Sequence, residues 1–243
     1  MKHESEVIVR TLYSVTFGDA KRQAFIEPYI ISFCAHVSDY EQQNGLLSQW
    51  RGYGRSSGYA LELDTAKFWT LMQADAQIYA YAATQLDAVQ YDGSEECFAS
   101  HFDDLVDRIA SAYHSIAITE SPNLDGLFGP SIHKITRYKH RGFSEENEVR
   151  AVLSPITSQW RERIKKEHPE EFKKQANRDI KPTLFKSGMK PYLALSSNRA
   201  LLPITKIIVG PNREKFVRLE VLERFLRARG MAIPVVVSET PLV

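Results

Sequence analysis

Glu146-Asn147-Glu148-Val149-Arg150-Ala151-Val152-Leu153-Ser154-Pro155 begins with two acids, turns aliphatic and stops at a proline. Its aliphatic and β-branched content predicts a strand over 148–153, ended where Ser154-Pro155 withdraws a ladder donor. Just upstream, residues 131–140 place Ile132, Ile135 and Tyr138 on one side and Lys134, Arg137, Lys139 and His140 on the other, which predicts a basic helix. Further back, Ser94 with Glu95 and Glu96 opens a segment in which Phe98, Phe102, Leu105, Val106, Ile109 and Tyr113 recur at helical spacing. A long amphipathic helix follows.

The same reading extends to both ends. Residues 86–91, closed by Asp92-Gly93, predict a strand. Residues 58–64 alternate apolar and polar as a half-buried strand does, and Asp64-Thr65 can cap a following helix. Tyr29-Ile30-Ile31-Ser32-Phe33-Cys34 predicts a buried core strand, and residues 6–27 a helix, with a short strand possible at Val7-Ile8-Val9. Downstream, the charge-dense residues 157–181 have few apolar anchors and predict a solvated insertion. Strands at 192–195 and 205–209, a turn at Gly210-Pro211-Asn212, a helix through Phe216, Leu219, Leu222 and Phe225, and a strand at 233–237 complete the chain. The sum is an α+β fold, compact mixed or antiparallel sheets flanked by helices, in one domain over 1–243.

At 243 residues the chain supports one sizeable core. Its 31 Lys and Arg against 30 Asp and Glu leave no overall attraction to nucleic acid or an anionic membrane, so such binding would need a local patch. Cys34 and Cys97 lack the paired spacing of a zinc or redox site and are expected as free thiols. No stretch approaches the length of a membrane span, and a cytoplasmic location without membrane partners is expected.

Two stretches carry chemistry. Glu146 and Glu148 are two apart, so in extended backbone both carboxylates project from one face. Such a pair can hold a magnesium-type cation, divide acid and base roles, or bond a ribose hydroxyl while stabilising an oxocarbenium ion. The plain alternative is a solvated strand end paired with Arg150 or Arg141, and spacing alone favours it. In Gln49-Trp50-Arg51-Gly52-Tyr53-Gly54-Arg55 the rings can stack on a heterocycle and the arginines can pair with phosphates, or Trp50 and Tyr53 can simply anchor the loop. The seven histidines show no metal-ligand spacing, and no Ser, His and Asp set presents a nucleophile motif.

Taken in order, the blocks at 29–34, Leu47-Ser-Gln-Trp-Arg-Gly-Tyr-Gly54, 58–64, Lys139-His-Arg-Gly-Phe-Ser-Glu-Glu-Asn-Glu-Val-Arg150 and Ile207-Ile-Val-Gly-Pro211 resemble the bacterial family called domain of unknown function 2971. That layout is in turn similar to ADP-ribosyltransferases, where Glu-x-Glu at the head of a strand faces a nicotinamide pocket. The resemblance implies an NAD-utilising enzyme, an ADP-ribosyltransferase or NAD glycohydrolase acting as a toxin or phage-defence effector, with NAD as substrate and a protein or nucleic-acid acceptor. It assigns Glu148 to the nicotinamide ribose, Glu146 to the acceptor, Trp50 or Tyr53 to the nicotinamide ring, Arg51 to the pyrophosphate, and Ser32 to the serine of the second strand. Those enzymes carry Arg or His on a first strand, for which this chain offers only Arg10. Two alternatives stand beside it: a magnesium-dependent nuclease using Glu146, Glu148 and Asp64, and a non-catalytic nucleotide or nucleic-acid binding module.

Overall fold

The computed structural model describes residues 28–54, 58–91, 93–116, 125–167, 169–170, 173–185, 188–195 and 201–241. The helix expected over 6–27, and Arg10 with it, lies outside these. In chain order the elements are β1 (Tyr29–Cys34), α1 (Asp39–Asn44), the single turn α2 (Leu47–Gln49), a π-helical turn (Trp50–Gly54), β2 (Tyr59–Leu63), α3 (Thr65–Ile78) and β3 (Tyr81–Ala88). Next come α4 (Glu95–Ile116), α5 (Asp125–Ile135), a 3₁₀ turn (Arg141–Glu146), β4 (Glu148–Pro155) and α6 (Ser158–Glu167). The hairpin β5 (Lys181–Phe185) and β6 (Gly188–Tyr192), then β7 (Ile204–Val209), α7 (Lys215–Ala228) and β8 (Val235–Val237) complete an α+β fold. The chain divides into two compact units, one of residues up to Phe33 with Gln73–Leu195, the other of Cys34–Met72 with Ser196–Val243.

The first unit is built on a three-stranded sheet in the order β1-β4-β3. β3 and β4 run antiparallel, with Leu86 opposite Ala151 and Asp87 opposite Arg150. The strand expected at 86–91 therefore starts earlier, at Tyr81, and β4 runs through Pro155 rather than stopping before it. β1 is present where expected, beside β4 among the described strands, but Ile30 and Ile31 are exposed, so the expectation of a buried core strand is corrected: an aliphatic run identifies a strand without saying whether both faces are covered.

Phe102 and Leu105 of α4, Ile132 of α5, Val152 of β4 with Ile156 just after it, and Trp160 and Ile164 of α6 belong to one buried cluster. Leu105 is fully enclosed, which stabilises by about 2 kcal/mol relative to leaving it in water. Trp160 and Ile164, four apart on one helical face, are anchors inside the stretch expected to be solvated. Ala176 bonds back to Ile78 and Ala80, and Arg178 reaches Asp75, so residues 176–178 are also tied to this unit. The basic helix sits further toward the amino terminus than the spacing suggests, ending at Ile135, so Lys139 and His140 lie beyond it, His140 with extended backbone before the 3₁₀ turn.

In the second unit β2 pairs antiparallel with β7, and β7 pairs parallel with β8. The parallel pair requires a crossover, which α7 provides. Asp64 caps α3, accepting the Lys67 backbone N–H at 3.0 Å, as the sequence suggests. Among the described residues no helix is long and apolar enough to cross a membrane.

Candidate functional site

The acidic pair is gathered by a different device from the one its spacing implies. Glu146 ends the 3₁₀ turn and Asn147 is left-handed at φ 40°, so the strand begins only at Glu148. Regular strand alternation does not reach Glu146. Instead the Lys139 ammonium draws the two together, 2.6 Å from Glu146 Oε2 and 2.8 Å from Glu148 Oε2. Lys139 can do this because the chain has left the helix at Ile135 and runs beside Gln90, whose carbonyl accepts the Lys139 N–H at 3.1 Å.

Glu148 is almost completely enclosed, its side chain 2% exposed. Arg150 Nε meets Oε1 at 2.7 Å, the Ser32 hydroxyl of neighbouring β1 hydrogen-bonds the carboxylate, and the Glu148 backbone N–H donates to the Tyr91 hydroxyl at 2.7 Å. Arg150 Nη1 in turn donates to the Thr136 and Tyr138 carbonyls just past α5, at 2.7 and 3.2 Å. Arg150 thus ties the chain just past α5 to the head of β4. Burial would push the Glu148 carboxyl up, but hydrogen bonds from Arg150, Lys139 and Ser32 outweigh it and hold it down at about 2. For Lys139, burial would lower the ammonium, but the hydrogen bonds to Glu146 and Glu148 outweigh it and raise it above its ordinary value.

Glu148 is thus ionised throughout the neutral range. It cannot donate a proton there, but it can stabilise a developing cation. The other members of the expected basic face are also engaged with protein: Lys134 pairs with Asp104 at 2.5 Å, and Arg137 Nε bonds the Ala88 carbonyl at 3.1 Å. Among the described residues no three His, Cys, Asp or Glu side chains group as a metal centre would, and Asp64 is occupied as a helix cap.

Trp50, Arg51 and Tyr53 belong to the second unit. Trp50 is buried, and its indole N–H donates to the Asn44 carbonyl at 2.8 Å. A Cβ added at Gly45, Gly54 or Gly210 would lie 2.9, 3.0 or 2.8 Å from the ring, so these glycines are spaces into which the indole fits. Gly45, at φ 73°, also needs the backbone freedom of glycine. This geometry supports the anchoring reading of Trp50. Arg51 and Tyr53 are exposed on the π-helical turn, Tyr53 to 75%.

Within the first unit the structure brings together Ser32, Glu146 and Glu148. Sequence reasoning missed the hub: Lys139 stood out only as one cation of a basic run, and Tyr91 not at all. The one signal for Lys139 was its seven-residue distance from Glu146 across a glycine-containing turn.

Residues 49–151 match a known family, described as protein of unknown function (DUF2971). The DUF2971 match begins beside Trp50 and ends just past Arg150, so it takes in both chemistry-bearing stretches and supports the family resemblance read from the sequence. No curated protein and no solved structure matches the chain.

Proposed function

We propose that this protein is an NAD-utilising enzyme of ADP-ribosyltransferase type, with Glu148 as the residue that faces the nicotinamide ribose and Glu146 as its partner toward the acceptor. The observation that carries the reading is the hydrogen bond from Ser32 on β1 to Glu148 at the head of neighbouring β4, which brings together two of the residues to which the resemblance assigns a role. The charge state supports it, because a carboxylate held ionised suits stabilisation of an oxocarbenium-like transition state and not general-acid work. The test is nicotinamide release from NAD by wild type, Glu148→Gln and Glu146→Gln, with circular dichroism on each. Release by wild type, lost in a folded Glu148→Gln protein, is expected; an inert wild type counts against the reading.

A second, non-catalytic reading is favoured by Arg150. Its hold on the carbonyls past α5 makes Glu148 its counter-ion, and the cluster then serves to lock that end to β4. Unaltered NAD, together with a lower melting temperature for Glu148→Gln, decides for this reading.

A further inference from the structure

We propose that the cavity between β3 and α5 is a binding site for a small neutral molecule with an apolar ring and one N–H, which donates to the Gln85 side-chain carbonyl. The cavity lies within the first unit and measures about 530 Å³, inside the roughly 300–1,000 Å³ span of small-molecule sites. None of the described residues that line it belongs to the Glu148 cluster, so the inference goes beyond the NAD reading and does not rest on it.

The hydrogen bonds decide which end of the Gln85 amide is left over. The Thr136 hydroxyl has one proton and gives it to the Ile132 carbonyl at 2.6 Å, so toward Gln85 it can only accept. The Gln85 NH2 therefore meets it, at 2.5 Å, and the amide cannot be turned round. Gln85 lines the cavity and is 4% exposed, and among the described residues its Oε1 has no hydrogen-bond partner. A buried amide carbonyl left in this state costs free energy that a donor on a ligand recovers.

The rest of the wall sets the remainder of the ligand. Ala82 and Ala83 of β3 and Pro130 of α5 offer small apolar side chains. At Gly129 a Cβ would lie 2.8 Å from the Ala82 carbonyl oxygen, so backbone contact sets the spacing of helix and strand there. The charged members are already matched: Lys134 pairs with Asp104 at 2.5 Å and donates to the His101 carbonyl, and His133 faces Asp87 at 3.5 Å. A charged ligand would have to break one of these pairs, whereas a neutral one need not.

The experiment is NMR titration of the isotope-labelled chain with indole and with benzofuran, in which a ring oxygen replaces the N–H. Indole is expected to bind at least about tenfold more tightly than benzofuran, with shift changes concentrated at residues 82–85 and 129–134. Gln85→Met, which removes the acceptor and keeps the length, is expected to bring the two within about twofold. Equal affinities for wild type, or indole shifts centred on other residues, overturn the inference. Absence of binding by either compound also overturns it and leaves a buried water as the partner of Gln85. Should Gln85→Met not fold, Ala83→Leu, which fills the cavity, replaces it and is expected to weaken indole at least about tenfold. Unchanged indole binding by that variant overturns the inference.

Discussion

The Glu148 cluster and the Trp50 loop are both buried polar or aromatic features of sequence blocks that suggest ligand chemistry, yet they are held by opposite physics. Glu148 is enclosed with two cations and a hydroxyl on its carboxylate, because a charge leaves water at tolerable cost only when it is paired and hydrogen-bonded. Trp50 is enclosed where three glycines, Gly45, Gly54 and Gly210, leave room for one large ring. The first arrangement depends on every partner being present and charged. The second depends on volume and is indifferent to pH.

That contrast is broken most severely at Glu148. Replacing it with alanine leaves Arg150 and Lys139 without their shared anion, and a loss of about 4 kcal/mol is expected in urea unfolding at neutral pH. Trp50→Ala should cost a comparable 3–5 kcal/mol, roughly, through the cavity it leaves, but high salt should change the Glu148 loss and leave the Trp50 loss unaltered. Equal salt responses would remove the distinction.

Acid sharpens it further. Glu148 has its carboxyl lowered from an ordinary 4.5 to about 2, so between these values the unfolded chain binds more protons than the folded one. Its stabilisation is complete above about pH 5 and is lost as pH falls toward 2, about 3 kcal/mol in total. Asp75 works in the opposite sense: burial raises its carboxyl despite Tyr81 and Arg178, so its contribution declines as pH rises through the raised value. The difference in stability between wild type and Glu148→Gln, followed from pH 7 to pH 2.5, isolates the Glu148 part and should shrink on acidification. For Trp50→Phe the difference should stay flat.

The smallest effect is at Ser32 on β1. Ser32→Ala removes one hydrogen bond to a charged group from an exposed position and should cost about 1 kcal/mol, measured as a shift in urea midpoint. No shift at all would mean that the hydroxyl contributes nothing to holding Glu148.

Much of the architecture was readable along the chain because periodicity reports which face a segment buries. The α4 stripe containing Phe102 and Leu105 and the cap at Asp64 follow from local spacing, whereas Tyr59 and Leu61, on the face of β2 that the alternation marks for burial, are exposed. Trp160 and Ile164 were hidden because two apolar residues among many charges make a weak signal, although a single i, i+4 pair is enough to seat one short helix on a core. The shift of α5 has a similar origin. Tyr138 contributes to the same apolar side as Ile132 and Ile135, but it reaches the core from beyond the helix end, paired to Gln90.

For the candidate site the sequence alone determined the acidic pair, its neighbouring cation Arg150, the serine on a preceding strand and the aromatic, glycine-rich loop. It also supplied the family resemblance that the match over residues 49–151 supports. Only the tertiary structure decided that Lys139 joins the two acids, that Arg150 serves the carbonyls past α5, and that Gly210 makes room for Trp50. The reason is that burial and charge pairing depend on which segments meet. Spacing along the chain carries no information about a contact made 160 residues away, as between Trp50 and Gly210.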